Sequence, residues 1–420
     1  MNRQNKYDLI VIGAGAAGLI AAGRAAELGG KVLLLERMRQ AGRKLLITGK
    51  GRCNITNEAE LQDFLEHIHP DSRFLRPAFS SFFSDDIIRL LNQHGVETLT
   101  ERGGRVFPLS NKASDVVNAL LEWNRISGVE LVTGIRVHEL IIENSIVKGV
   151  KAETDRGMES IYASAVIICS GGKSYPATGS SGDGYKLAES AGHNIVPLIP
   201  SLVPLETAGP YASRLQGLSL KNVNAVLWIN RKKASEDFGE MLFTHFGLSG
   251  PIILTLSRFV AKALSQGNKV EISIDLKPAL DEQKLDNRLI RDLNENGKRQ
   301  LGNLFRSWLP MSMVPVFIEI LSLDQQKEAH QVSGKERKKI LQLMKDLRFK
   351  ITGVRSFKEA IITAGGIPVD EINPKTMESR KVKNLYFAGE VIDVDGDTGG
   401  YNLQIAWSTG WLAGSASMQS

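Results

Sequence analysis

The run Tyr7-Asp8-Leu9-Ile10-Val11-Ile12-Gly13-Ala14-Gly15-Ala16-Ala17-Gly18 constrains the fold of this chain more than any other stretch. An apolar strand-like run leads into Gly-x-Gly-x-x-Gly, and Leu19-Ile20-Ala21-Ala22 continues as an apolar helical pattern. A second run, Lys31-Val32-Leu33-Leu34-Leu35-Glu36, closes on an acid. Strand, glycine turn, helix, strand and acid together define a dinucleotide-binding βαβ unit. Gly13 permits the tight turn, Gly15 lets a phosphate approach the backbone, and Gly18 lets helix pack on strand. The N–H groups of Ala16, Ala17 and Gly18 open the helix without intrahelical partners and suit a pyrophosphate. Glu36 stands 23 residues beyond Gly13, where a carboxylate accepts from ribose hydroxyls, and Arg37 follows as a further cofactor contact.

A chain of 420 residues has room for two or three domains. Its 42% hydrophobic and 23% charged content is that of a soluble globular protein. Residues 9–22 are apolar, yet glycines interrupt them where a phosphate loop needs glycine, Arg24 and Glu27 follow, and no cleavage pattern appears. They are also too short to span a bilayer. A cytoplasmic protein with no membrane association is expected. Cys53 and Cys169 are the only cysteines, which excludes a disulfide framework and a cysteine-rich metal site. Asp393, Asp395 and Asp397 alternate as in a calcium loop, but the bidentate glutamate such a loop needs is absent, so no metal is expected.

The expected class is α/β: an FAD-binding, Rossmann-like two-dinucleotide-fold core carrying an inserted β-rich and helical domain. Residues 1–196 form its first part. Helical patterns there cover Asp85–Leu91 and Ser114–Leu121, and strand-like runs cover Glu130–Thr133, Arg136–Ile142, Ile146–Glu153 and Ala163–Cys169. After Pro197, Pro200, Pro204 and Pro210 the texture becomes β-rich over 197–275, interrupted by a helix over Pro251–Ser265 that Pro251 opens. Residues 276–354 read as basic amphipathic helices, and residues 355–420 return to the glycine-rich core.

Three segments favour FAD over NAD as the resident dinucleotide. An apolar strand runs into Cys169-Ser170-Gly171-Gly172, where small residues let backbone approach a cofactor. Asn384–Phe387 runs into Ala388-Gly389-Glu390, whose carboxylate suits a ribityl hydroxyl. Gly399-Gly400-Tyr401-Asn402-Leu403 opens a C-terminal helix whose first N–H groups face the flavin pyrimidine edge. No second glycine fingerprint follows a strand, so NAD(P)H is expected only as a transient electron donor.

Gly42-Arg43-Lys44-Leu45-Leu46-Ile47-Thr48-Gly49-Lys50-Gly51-Arg52-Cys53-Asn54, Phe243-Thr244-His245-Phe246-Gly247-Leu248-Ser249-Gly250-Pro251 and the two C-terminal glycine segments also carry a family resemblance. Over essentially its whole length the chain resembles the aminoacetone oxidase-like flavoproteins, also described as NAD(FAD)-utilising dehydrogenases. The resemblance implies a glutathione-reductase-type FAD fold with an insert. It leaves the reaction open among amine oxidation, reduction of a conjugated bile-acid double bond, and reduction of uridine to dihydrouridine in ribosomal RNA.

Hydride chemistry at flavin N5 needs a partner for the proton. Cys53 is one candidate acid, since Lys44, Lys50 and Arg52 nearby would lower its thiol pKa; its other reading is a small buried filler. His245 is the second, placed to project into a cleft between core and insert; its other reading is a loop hydrogen bond. Arg43, Lys44, Gly51 and Arg52 are expected at phosphate or at the flavin carbonyl edge. The segment 277–359 carries 17 Lys and Arg against 11 Asp and Glu, the whole of the +6 net charge. Lys335, Arg337, Lys338, Lys339, Lys345, Arg348, Lys350 and Arg355 crowd into it. This is either a solvated helix face or a surface for RNA phosphates. The expected partner is accordingly a small-molecule substrate or a structured RNA, and a non-catalytic, redox-sensing flavin protein is the third class.

Overall fold

Five of the six residues of the opening strand, Tyr7–Ile12, are buried. A strand covered on both faces needs consecutive rather than alternating apolar residues. It pairs in parallel with Val32–Glu36 on one side and with the second half of Gly157–Ile168 on the other. Glu130–Thr133 extends the sheet beyond Val32–Glu36, and Leu385–Phe387 adds a parallel strand beside Val166–Ile168. The computed structural model describes residues 7–419 and divides into two units. One runs to Pro200 and resumes at Phe357, and the other spans Ser201–Ser356.

The strand ending at Ile168 is longer than the apolar run predicts. Its first half, Gly157–Tyr162, pairs antiparallel with Ile146–Thr154, which pairs in turn with Arg136–Glu143. That half is partly exposed and polar, so hydropathy alone marks only the buried half. The helix Ala16–Glu27 packs on the C-terminal helix Tyr401–Ala416. A Cβ at Gly410 would stand 2.4 Å from the Ala17 carbonyl oxygen, and one at Gly414 equally close to that of Ala21. Glycine at both positions lets the two backbones meet.

A buried polar cluster braces this unit away from the glycine loop. His193 Nδ1 lies 2.8 Å from Glu371 Oε2, and its Nε2 lies 2.7 Å from Ser379 Oγ. Lys381 and Asn194 bond the other Glu371 oxygen, and Phe387 packs edge-on against the imidazole. Serine, histidine and carboxylate stand in the order of a hydrolase triad, but all three are buried, so the cluster is a structural brace.

The second unit is a closed barrel whose strands neighbour one another in the order Leu205–Thr207, Gly247–Ser249, Lys232–Phe243, Ser219–Ile229, Val270–Asp275 and Leu347–Val354. Pro251–Ser265 is a helix, as its sequence predicts. Helices Glu282–Glu295, Leu301–Trp308, Met313–Leu321 and Gly334–Lys345 do not form a separate body. Leu289, Phe305, Phe317 and Met344 share one apolar core with Ile272 and Phe349 of the barrel. The helical run ends at Lys345, and Leu347–Val354 is a barrel strand. Arg348 and Lys350 on its exposed face give it the basic look of the preceding helix. Among the described residues no helix is long and apolar enough to cross a membrane.

Candidate cofactor and active site

Gly13 has a φ of +101°, and a Cβ there would stand 2.7 Å from the Cys169 carbonyl oxygen. A Cβ on Gly18 would stand 1.8 Å from the Gly13 oxygen. These two glycines are steric requirements of strand and helix packing. Gly15 differs: its φ is an ordinary −88°, and nothing lies within 4 Å of where its Cβ would be. The helix behind it, which includes Ala16, Ala17 and Gly18, opens without a side-chain cap, so its first N–H groups suit an anion. Glu36 braces the loop, accepting from Ala14 N–H (2.9 Å) and Met38 N–H (2.7 Å). Gly42 N–H donates to the Ala14 carbonyl (2.8 Å) and ties the next segment to the same loop. That segment begins with half-buried Arg43, which has no ion-pair partner among the described residues.

The other expected cations are engaged. Arg37 bonds Asp183 (3.0 Å) and Ser181. Partial burial opposes it, yet Arg136 and Arg37 hold the Asp183 carboxyl below the usual carboxylate range. Lys44 pairs with Glu390. The Glu390 carboxylate also accepts from Ser174 Oγ and from Thr363 N–H, each at 2.8 Å. The fold thus joins the segment after the glycine loop to the end of the strand Leu385–Phe387 through a half-buried ion pair, with Ser174 and Thr363 as members the sequence pattern does not reveal. Gly172 makes room for it, since a Cβ there would stand 2.5 Å from Glu390 Oε1. Arg52 pairs with Glu101, bonds Asn111 (2.7 Å) and lies 4.1 Å from the Phe107 ring centre. It is therefore committed to its own subdomain rather than to a phosphate.

Cys53 corrects a sequence expectation. Its side chain is fully buried, and burial pushes the thiol up to about 12, with only a Thr48 hydrogen bond opposing. The cations that were to lower it point elsewhere: Lys44 to Glu390, Arg52 to Glu101, and Lys50 to solvent. A residue with no exposed surface does not line a substrate site. Cys53 is the small buried filler of a turn in which Gly51 is exposed with a φ of +84°.

The remaining residues expected at a cofactor lie at the ends of two core strands and at the start of one helix. Ser170 follows the strand ending at Ile168, and its hydroxyl is buried without a hydrogen-bond partner. Gly171 turns the chain with a φ of +71°. Gly389 has a φ of +76°, and its Cβ would stand 2.9 Å from Ala17 Cβ. Gly400 opens the C-terminal helix with a φ of +105°, again without a side-chain cap. Its Cβ would stand 2.3 Å from the Thr56 carbonyl oxygen. Asn402 does not point outward as a free contact. It accepts from Gly396 N–H (2.8 Å) and donates to the Gly396 carbonyl (2.7 Å), locking the preceding loop. Tyr401 is buried and Leu403 partly so. The open space at Gly15, unpaired Arg43, the orphaned Ser170 hydroxyl and two uncapped helix starts together fit a dinucleotide such as FAD.

His245 lies at an exposed turn of the barrel unit, its ring edge-on to Phe246 at 4.8 Å. In the core unit, a cluster the sequence does not announce forms where Ile68–His69 pairs with Asp395–Gly396. His67 Nδ1 lies 2.9 Å from Asp397 Oδ2, and His69 Nε2 lies 3.6 Å from Asp397 Oδ1. The His67 ring stacks on Tyr401, with centres 4.5 Å apart. The two pairing segments lie more than 300 residues apart, and no local pattern connects them.

The sequence profile of the HI0933-like protein Rossmann domain family matches residues 7–416. A 3-dehydro-bile acid delta(4,6)-reductase of Clostridium scindens is 32% identical over 411 residues, 97% of this chain and 98% of that protein. A ribosomal RNA dihydrouridine synthase of Escherichia coli is 31% identical over 413 residues, 97% of this chain and 96% of that one. Two solved structures share the fold. A 3-ketosteroid delta1-dehydrogenase from Sterolibacterium denitrificans superposes with a TM-score of 0.51 at 12% identity, covering 98% of this chain and 99% of its own. An open flavocytochrome c3 fumarate reductase gives 0.50 at 16% identity, covering 100% of this chain and 79% of its own.

Proposed function

Because the chain belongs to the HI0933-like Rossmann-domain family of FAD-dependent oxidoreductases, we propose that it saturates a carbon–carbon double bond conjugated to a carbonyl. The observation that carries this reading is the pair of nearly full-length relatives. A delta(4,6)-reductase acting on a 3-oxo steroid and a dihydrouridine synthase differ in substrate size but not in bond chemistry. Each name describes adding hydrogen across an alkene polarised by a carbonyl. The specific aminoacetone oxidase reading draws no comparable support.

FAD, when bound and reduced, supplies hydride. The chain's own residues hold and bias the site. The N–H groups of Ala16, Ala17 and Gly18, with Arg43, suit the diphosphate. Glu36 keeps lone pairs for a ribose hydroxyl while bracing Ala14 and Met38. The start of the C-terminal helix at Tyr401, Asn402 and Leu403 presents positive partial charge to the pyrimidine edge. Ser170 offers its unpartnered hydroxyl. A nicotinamide donor is assigned a transient role.

The test is anaerobic and has two halves. NADH or NADPH should bleach the bound FAD, and a conjugated enone should restore the oxidised spectrum at least tenfold faster than buffer alone. Failure of every enone and of structured ribosomal RNA to restore it would discard the reading.

A second reading keeps this chemistry but places the double bond in RNA. Lys335, Lys338 and Lys339 lie exposed at i, i+3 and i+4 on the helix Gly334–Lys345, so they share one face. The basic segment is otherwise less available than its composition suggests. Arg337 pairs with Asp286, Lys345 with Asp275, Arg348 with Asp346, and Arg355 with Glu206. If RNA is the substrate, changing the three exposed lysines to glutamate in the full chain lowers the slope of log affinity against log salt by about 3. An unchanged slope in filter binding assigns those lysines to the solvated face.

A further inference from the structure

Resting on that reading, we propose that His67, its ring oriented by Asp397, donates the proton that accompanies hydride addition. Four observations meet at this residue. Asp397 Oδ2 holds His67 Nδ1 at 2.9 Å. Asp397 N–H donates to the His67 carbonyl oxygen (2.9 Å), so backbone and side chain fix the pair together. The carboxylate is withdrawn, with 18% of its side chain exposed, whereas 44% of the His67 side chain is exposed. The ring stacks on Tyr401, the first residue of the helix whose start suits the flavin edge. The imidazole therefore stands beside that helix start, within the same unit as the glycine loop.

A carboxylate on Nδ1 selects the tautomer in which Nδ1 carries hydrogen and directs Nε2 to exchange protons. The charged and titratable groups around the ring include Asp397, which bonds Nδ1, His69 across the same carboxylate, and the stacked Tyr401, on whose hydroxyl Asp397 and Asp63 both act. Cys53 is buried and offers no proton to a substrate. Hydride from the reduced cofactor adds to the β-carbon of the enone. The alkene π pair moves to the α-carbon and takes the Nε2 proton of the His67 imidazolium, whose charge the Asp397 carboxylate offsets, leaving the neutral ring with its hydrogen on Nδ1. A proton from solvent returns to Nε2 and restores the imidazolium, and a nicotinamide donor restores the two electrons, so each turnover consumes one solvent proton and one hydride.

Flavin-loaded enzyme and apoprotein test this together. In stopped-flow experiments His67→Gln should bleach with NAD(P)H at the parental rate, yet reoxidise with enone at least 100-fold more slowly. Asp397→Asn is nearly isosteric and should slow reoxidation less. In the apoprotein, ¹⁵N spectra should show the Nδ1-protonated tautomer of His67 in the parent and its loss in Asp397→Asn. A parent that no enone reoxidises removes the functional reading and this step with it. A parent that reoxidises, with His67→Gln at the same rate, overturns the His67 assignment alone. So does a loss of rate confined to His245→Ala. If His67→Gln fails to retain flavin, parental reoxidation in Asp397→Asn and an unshifted tautomer overturn the assignment instead.

Discussion

Gly15→Ala should fold like the parent and purify nearly colourless. The backbone there is already compatible with a side chain, with a φ of −88°, and no atom lies within 4 Å of the new methyl. The expected cost to the apoprotein is about 1 kcal/mol, the loss of a tolerable N-cap. The cost to binding is larger, because the methyl fills the space through which a diphosphate reaches the helix start. FAD affinity should fall by one to two orders of magnitude, about 1.4–3 kcal/mol. Gly13→Ala is the contrasting variant. It places a methyl 2.7 Å from a carbonyl oxygen at a φ of +101°, costing about 1–3 kcal/mol in backbone strain and a similar amount in overpacking. Calorimetry and flavin absorbance should show both variants short of FAD, with Gly13→Ala much the more destabilised of the two. Stoichiometric FAD in Gly15→Ala would move the diphosphate away from this loop.

Glu371→Ala should be the most destabilising single change away from the cofactor. It leaves His193, Lys381 and Asn194 without their shared partner in a buried cluster. Breaking such a cluster costs about 3–5 kcal/mol, seen as a lower midpoint in urea. The same cluster predicts acid sensitivity. Burial lowers the His193 pKa despite the Glu371 carboxylate beside it. Burial opposes the shift at Glu371, but Lys381, His193 and Asn194 hold its carboxyl below the usual range. Both groups bind protons more readily when unfolded, so both favour the native state at higher pH. The His193 contribution is complete above its unfolded pKa of about 6.5 and is lost as pH falls toward its lower folded value. The Glu371 contribution is lost further down, below about 4.3. Melting temperature should be flat above pH 7 and decline below 6.5, and His193→Gln should remove the first part of that decline.

The elements legible in the sequence are those whose determinants are local. Gly13, Gly15 and Gly18 stand between a buried strand and a helix, and Pro251 starts its helix where the pattern places it. What stayed hidden is made by pairing across the chain. The cations around Cys53 looked like one electropositive pocket, but Lys44 finds Glu390 and Arg52 finds Glu101 once the chain is folded. Burial then moves the thiol opposite to the direction local charge suggests. The His67–Asp397 contact depends on two short strands meeting, each only two residues long, too brief for periodicity to register. The strand Leu347–Val354 carries alternating basic residues after a basic helix, so composition blurs a boundary that packing draws sharply.

The close crossing of the first and last helices also sets a length. Ala17 meets Gly410, and Ala21 meets Gly414, so the two helices run in the same direction in fixed register. Ala17 is one residue past the first helix's start, whereas Gly410 is nine past the other's. The two electropositive ends are thus offset by eight residues, about 12 Å along the common axis. Because backbone touches backbone at both crossings, neither end can slide to suit its ligand. The pair works as a ruler: an occupant that meets both helix starts must span that fixed separation.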